Sequence, residues 1–126
     1  MKMFVDLNLK LGVRPEAYAP LSAPSWKNRR DKLKDMNVLK DPVILSLAEK
    51  YHKTPAQVVL NWHLHGGHVV IPSSMNRDRQ KENLDIVDFT MTPEEYERVT
   101  QMDEGARMYD PKYYSEYERP CYPYFH

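Results

Sequence analysis

Ile71-Pro72-Ser73-Ser74-Met75-Asn76-Arg77-Asp78-Arg79-Gln80-Lys81-Glu82-Asn83 is the stretch on which the fold turns. Just before it, His68-Val69-Val70-Ile71 is short, apolar and β-branched, bounded by Gly66-Gly67 and Pro72, and so reads as a buried strand. Ser73 and Ser74 follow with two hydroxyls, and Asn76 can cap a helix running through Leu84. The first N–H groups of a helix are unpaired donors at the positive end of its dipole. Arg79 adds a planar fork suited to phosphate. Strand, short loop and helix start therefore form an arrangement able to bind phosphate. An ordinary capped helix start carries the same Ser and Asn pattern, so both readings stand on these residues alone.

Working outward, helix signals dominate. Asp41-Pro42 is a cap followed by a proline at the first helical position, and Val43, Ile44, Leu47, Ala48 and Tyr51 share one face. Thr54-Pro55-Ala56-Gln57 is a capping box that opens a helix carrying Ala56, Val59, Leu60 and Trp62, which Gly66-Gly67 can end. Thr92-Pro93-Glu94-Glu95 is another, opening a helix to about Met102. Near the front, Phe4 to Leu11 reads as a helix stopped by Gly12, and Glu16 to Ala19 as a second short strand. Strands alternating with helices predict parallel βαβ units, an α/β fold. Two parallel strands leave open edges and give the many helices little sheet to cover, which points to part of a larger α/β domain.

Composition narrows the function classes. The chain has 126 residues, the length of one ordinary domain. Lys plus Arg and Asp plus Glu each total 18, so no general electrostatic case exists for nucleic acid or an anionic membrane. No apolar run approaches the ~20 residues of a membrane span, and the start lacks a signal-peptide core. A single cysteine, Cys121, suits a reducing compartment, so a cytoplasmic location is expected. Residues 1–40 carry a net charge of +5 and residues 41–126 a net of −5. The basic cluster Lys27, Arg29, Arg30, Lys32 and Lys34 reads first as a solvated face. Residues 108–126 hold six of the nine tyrosines with Pro111, Pro120 and Pro123 and no periodicity, an extended tail expected to pack on something.

The run KTPAQVVLNWHLHGGHVVIPSSMNRDRQKENLDIVDFTMTPEEYERVTQMD resembles the C-terminal part of the aldo-keto reductase family. The family pattern runs K-T-P-A-Q-V, a Trp-containing helix, V-I-P-K-S, R-x-x-E-N and a D-F-x-L-x-x-E-E segment. Tyr18-Ala19-Pro20-Leu21 is similar to the family's Y-S-P-L strand end. The likeness covers roughly residues 4–104, within a domain assigned to 1–107 ahead of the tail at 108–126. It implies the C-terminal portion of a TIM (β/α)8 barrel, with Glu16–Ala19 as strand seven and Val69–Pro72 as strand eight. Phosphate loops of such barrels commonly follow those strands.

The resemblance implies binding of NADP(H) and reduction of small-molecule aldehydes or ketones by hydride transfer. Tyr18 matches the residue that stacks on the nicotinamide, and Leu21 and Ser22 match the loop over the pyrophosphate. Ser74, Asn76 and Arg79 match positions that grip the 2′-phosphate, and Glu82 and Asn83 the pair on adenine. Ser73 stands where lysine is common, so preference for NADP over NAD leans on Arg79, with Arg77 as a helper. Ala19 replaces a common serine.

The family's catalytic tetrad of Tyr, Lys, Asp and His lies on N-terminal strands that have no counterpart here, so no catalytic residue is assigned. A barrel typically needs ~250 residues, so the chain alone is expected to be inactive. His63, His65 and His68 form H-x-H-x-x-H, but the expectation is that they diverge across Gly66-Gly67, and no metal site is assigned. Cys121 lacks the surroundings of a nucleophile. Beside the reductase reading stand a non-catalytic nucleotide-binding or interaction module and a truncated gene product. The tail tyrosines suggest an aromatic substrate wall. Oligomeric state is not read from these residues.

Overall fold

Capping chemistry sets most helix boundaries. The computed structural model describes residues 2–22 and 37–103. Helix α1 spans Lys2–Lys10, strand β1 Glu16–Ala17, and a 3-10 turn Val38–Lys40. Then come α2 (Pro42–Tyr51), α3 (Pro55–His65), β2 (Val69–Val70), α4 (Arg77–Leu84) and α5 (Pro93–Thr100). The Asp41 carboxylate accepts from Val43 N at 2.8 Å, and Pro42 opens α2 as its sequence predicts. Both expected capping boxes are closed. Thr54 with Gln57 starts α3, and Thr92 with Glu95 starts α5. The basic cluster at 27–34, the tail at 108–126 and Cys121 lie outside the described residues.

β1 and β2 pair in parallel, Glu16 opposite Val69 and Ala17 opposite Val70. Both strands are shorter than their sequences suggest. After Ala17 the chain turns: Ala19 and Ser22 take positive φ values of 51° and 59°, and Ser22 N donates to Ala19 O at 2.8 Å. With β1 ended, β2 has nothing further to pair with, and Pro72 has no N–H to offer. The expectation of a buried strand is also corrected. Val69 is 39% and Ile71 52% exposed, because no described element packs over them.

The core sits in the helical layer rather than on the sheet. Ile44, Leu47 and Ala48 of α2 meet Val58 and Val59 of α3, with Met91 and Val99 closing the cluster. Three polar side chains are buried with them: Gln57, Asn61 and Glu95. Burying such groups is tolerable only when they are bonded. Asn61 Nδ2 donates to the carbonyls of Ile86 and Phe89 at 2.8 and 2.9 Å, and Gln57 Nε2 to that of Asp85 at 2.8 Å. Lys53 adds ion pairs to Asp85 and Asp88 at 2.8 and 2.7 Å. This segment has no ladder or helix of its own, so α3 side chains supply its hydrogen bonds and hold the exit of α4. Glu95 accepts from Lys50 Nζ and Tyr51 Oη, each at 2.5 Å, tying α5 to α2.

Outside this layer the apolar surface is uncovered. Met3, Phe4, Leu7 and Leu11 of α1 and its exit are 56–86% exposed. Among the described residues, no helix is long and apolar enough to cross a membrane.

Candidate nucleotide site at the strand ends

Parallel pairing decides where the candidate residues fall. Both strands run the same way, so the segments leaving them, Tyr18–Ser22 and Ile71–Asn76, emerge at one edge of the sheet. Ligand sites of parallel α/β sheets lie at such carboxyl-terminal edges. Tyr18 follows Ala17 directly and is 73% exposed. Leu21 and Ser22 are half-buried in the turn that the positive φ values create.

The second loop is organised around Asn76. Its Oδ1 accepts from Asp78 N at 2.9 Å and Arg79 N at 3.0 Å, capping α4. Ser74 Oγ accepts from Asn76 N at 3.1 Å, and Gln80 Nε2 donates back to Ser74 O at 2.7 Å. The loop is thus shaped by its own side chains. Two of the helix-terminal N–H groups are already used by Asn76, so an incoming anion would not meet a bare helix end. What the loop still offers are donors: the Ser73 and Ser74 hydroxyl protons, Asn76 Nδ2 and the Arg79 guanidinium. Arg79 is exposed and forms no ion pair among the described residues. These donors suit an oxyanion, with the carboxylates of Asp78 and Glu82 on the same helix.

Arg79, Glu82 and Asn83 lie three and four residues apart on α4 and so share a face. Glu82 and Asn83 are half-buried. The structure therefore brings Ser73, Ser74, Asn76, Arg79, Glu82 and Asn83 into one loop-and-helix unit, with Tyr18, Leu21 and Ser22 at the same sheet edge.

The side-chain link beneath the first loop is a histidine pair, and here the expected divergence of the three histidines is corrected. Gly67 takes φ +79°, which reverses the chain and lets His68 N donate to His63 O at 3.0 Å. The imidazoles then meet, Nδ1 to Nδ1, at 3.4 Å, while His63 Nε2 faces the buried Pro20 carbonyl at 3.3 Å. His65 turns away and bonds Asn61 Oδ1 at 3.0 Å. Burial, then the charge His68 would carry, push His63 down to about 4 against the pull of the Pro20 carbonyl. Burial also lowers His68. Among the described residues, no group of three or more His, Cys, Asp or Glu side chains is placed to hold a metal.

Sequence reasoning missed the polar stripe Gln57, Asn61 and His65, spaced by four residues along a mostly apolar helix. That spacing was itself the available signal, since it places all three on one face.

Against known proteins, the model of the aldo/keto reductase family matches residues 2–104. The chain belongs to that family. An aldo-keto reductase of Mycolicibacterium smegmatis is 36% identical over 103 residues, covering 82% of this chain and 33% of that protein. Methylglyoxal reductase DkgA of Escherichia coli is 45% identical over 71 residues, covering 56% of this chain and 26% of that protein. Among solved structures, apo Gox0644 superposes with a TM-score of 0.69 at 36% identity, over 84% of this chain and 35% of that one. An aldo/keto reductase from Brucella melitensis gives 0.61 at 37% identity, over 77% and 32%. The chain thus spans about a quarter to a third of the length of these relatives. The α/β arrangement of β1, β2 and their helices corresponds to part of the family's TIM barrel.

Proposed function

We propose that this chain is the NADP(H)-binding C-terminal part of an aldo-keto reductase, an oxidoreductase that reduces aldehydes and ketones to alcohols. The observation that supports the reading is the donor-bearing loop Ser73-Ser74-Met75-Asn76, with Arg79 unpaired among the described residues, at the carboxyl edge of two parallel strands. A nicotinamide dinucleotide, when bound, supplies the hydride.

The chain's own residues bind and orient. Ser73, Ser74, Asn76 and Arg79 hold the adenosine phosphate, and Glu82 and Asn83 present a carboxylate and an amide suited to the donor and acceptor edge of adenine. Leu21 and Ser22 cover the pyrophosphate, and Tyr18 offers a ring for stacking. With Ser73 in place of lysine, discrimination for the 2′-phosphate falls on Arg79, because Arg77 and Arg79 sit two residues apart and point to different sides of α4. Carbonyl reduction also needs an acid and its tuning partners, which we place outside the matched segment 2–104, so the chain by itself is proposed to bind nucleotide without turning over substrate. The cytoplasm is the proposed setting.

Titration with NADP+ and NAD+, followed by the fluorescence of Trp26 and Trp62 and by calorimetry, tests the reading. Arg79→Ala is expected to weaken NADP+ by about 1.5–3 kcal/mol and NAD+ by far less. Equal losses for the two nucleotides would remove Arg79 from the 2′-phosphate. Absence of binding to either would remove the nucleotide reading itself.

A further inference from the structure

We propose that His63 is a positioning residue for the loop after β1, held in one tautomer by His68 so that its Nε2–H fastens the Pro20 carbonyl. The reasoning begins at that carbonyl, which can only accept. His63 Nε2, 3.3 Å away, must therefore carry the proton if the two are to bond. A neutral ring protonated at Nε2 leaves Nδ1 bare. Nδ1 faces His68 Nδ1 at 3.4 Å, so His68 must donate there. The result is a directed relay: His68 Nδ1–H to His63 Nδ1, and His63 Nε2–H to Pro20 O.

Each member is fixed by different elements. His63 is on α3, His68 lies just before β2, and Pro20 sits between Ala19 and Leu21 in the turn after β1. The backbone bond from His68 N to His63 O at 3.0 Å sets the spacing of the two rings. Trp62 packs edge-on against His63 with centroids 4.8 Å apart and stacks on Tyr96 of α5 at 5.9 Å. A Cβ on Gly66 would lie 2.7 Å from Tyr96 Oη and 3.2 Å from His68 Nδ1, so glycine leaves room for the pair.

The groups around His63 favour the neutral state. His68 faces it from the residue before β2, the Pro20 carbonyl from the turn after β1, and Tyr96 approaches from α5 through Trp62. Glu97 and Asp6 act on Tyr96, and no described carboxylate pairs with either imidazole. A second proton on His63 would set N–H against N–H, and only a tautomer change at His68 would relieve it. Protonation would leave the Nε2–H on the Pro20 carbonyl, so what is lost as the pair takes up a proton is the bond between the two rings that fixes the tautomer.

Its consequence for binding rests on the nucleotide reading, because Leu21 and Ser22 are carried by the same turn. The experiment therefore has two independent arms. In the first, long-range 1H–15N NMR of the full chain reads the imidazole tautomers. The expected result is His63 protonated at Nε2 and His68 at Nδ1 at pH 7, with the amide of Ser22 shifting as the pair titrates. His63 protonated at Nδ1, or a Ser22 amide indifferent to the titration, overturns the proposal whatever binds nearby.

In the second arm, NAD+ and NADP+ are titrated against His63→Phe, His63→Gln and His68→Asn. Removing one buried hydrogen bond predicts Kd values about tenfold higher for both nucleotides in His63→Phe. Gln can place an N–H near the Nε2 position and Asn near the Nδ1 position, so both conservative variants should recover wild-type affinity. Failure of His63→Gln to recover while it remains folded would also overturn the proposal. The tautomers established with neither nucleotide bound would sink the nucleotide reading and leave the fastening intact.

Discussion

Glu95 joins α5 to α2, and its replacement should show how much of the fold depends on one carboxylate. Its side chain is 11% exposed. It accepts from Tyr51 Oη and Lys50 Nζ at 2.5 Å each, and from Thr92 N at 2.9 Å as the return half of the capping box. A hydrogen bond to a charged acceptor contributes about 1.5–3 kcal/mol, which sets the Tyr51 share. The capping contact contributes about 0.5–1 kcal/mol. Lys50 is 54% exposed, so its pairing is solvent-screened and adds little. Glu95→Ala should therefore destabilise by about 2–4 kcal/mol, and Glu95→Gln, which keeps an acceptor for Tyr51 and Thr92, by about 1–2 kcal/mol.

The same carboxylate should also be visible in acid. Burial raises its pKa, but Lys50, Tyr51 and the Thr92 N–H together outweigh that and hold it at about 2. A depressed carboxylate contributes stability that is complete above the ordinary value of 4.5 and is lost as pH falls toward about 2. Urea unfolding followed by far-UV circular dichroism measures both effects. A loss under about 1 kcal/mol in Glu95→Ala at neutral pH would refute the reasoning. So would an acid slope in Glu95→Gln as steep as in the wild type.

Three further outcomes are expected. Asn61→Ala should cost about 2–4 kcal/mol in urea unfolding, since it strips the donors from the carbonyls of Ile86 and Phe89. Gly67→Ala should cost about 1–2 kcal/mol, because φ is +79° and the new methyl would meet Leu9 Cδ1 at 3.2 Å; a melting temperature unchanged from wild type would contradict this. His63 held at about 4 when folded and 6.5 when unfolded means that stability is complete above 6.5 and declines as pH falls toward 4. His63→Gln should flatten that part of the stability curve, and an unchanged curve would show that His63 is not the group responsible.

Local chemistry made the helices readable. Asp41-Pro42, Thr54 with Gln57, and Thr92 with Glu95 each fix a helix start within four residues, and each appears as its sequence predicts. The loop around Asn76 was readable for the same reason, since its hydrogen bonds span no more than six residues. Strand length was not. It depends on a neighbour more than fifty positions away and on the turn that begins at Ala19. The His63–His68 meeting was misjudged because Gly66-Gly67 was read as a separator, whereas Gly67 at positive φ folds one histidine back onto the other. Gln57 and Glu95 hid second roles behind recognisable capping ones: the same side chains that close the boxes also hold the 85–88 segment and α2.

The placement of the core has a consequence for how the molecule breathes. Ile44, Val58 and Leu60 are fully buried between helices, whereas each strand contributes only two paired residues and Val69 is 39% exposed. Amide exchange should therefore be graded across the chain: slowest in the middle turns of α2 and α3, faster in α5, and fastest in α1 and the β1–β2 pair. The outer wall can persist through openings in which the sheet edge that carries the candidate nucleotide residues is repeatedly lost and re-formed. A nucleotide bound at that edge would be recorded as a slowing of exchange in the strands, with little change in the helices behind them.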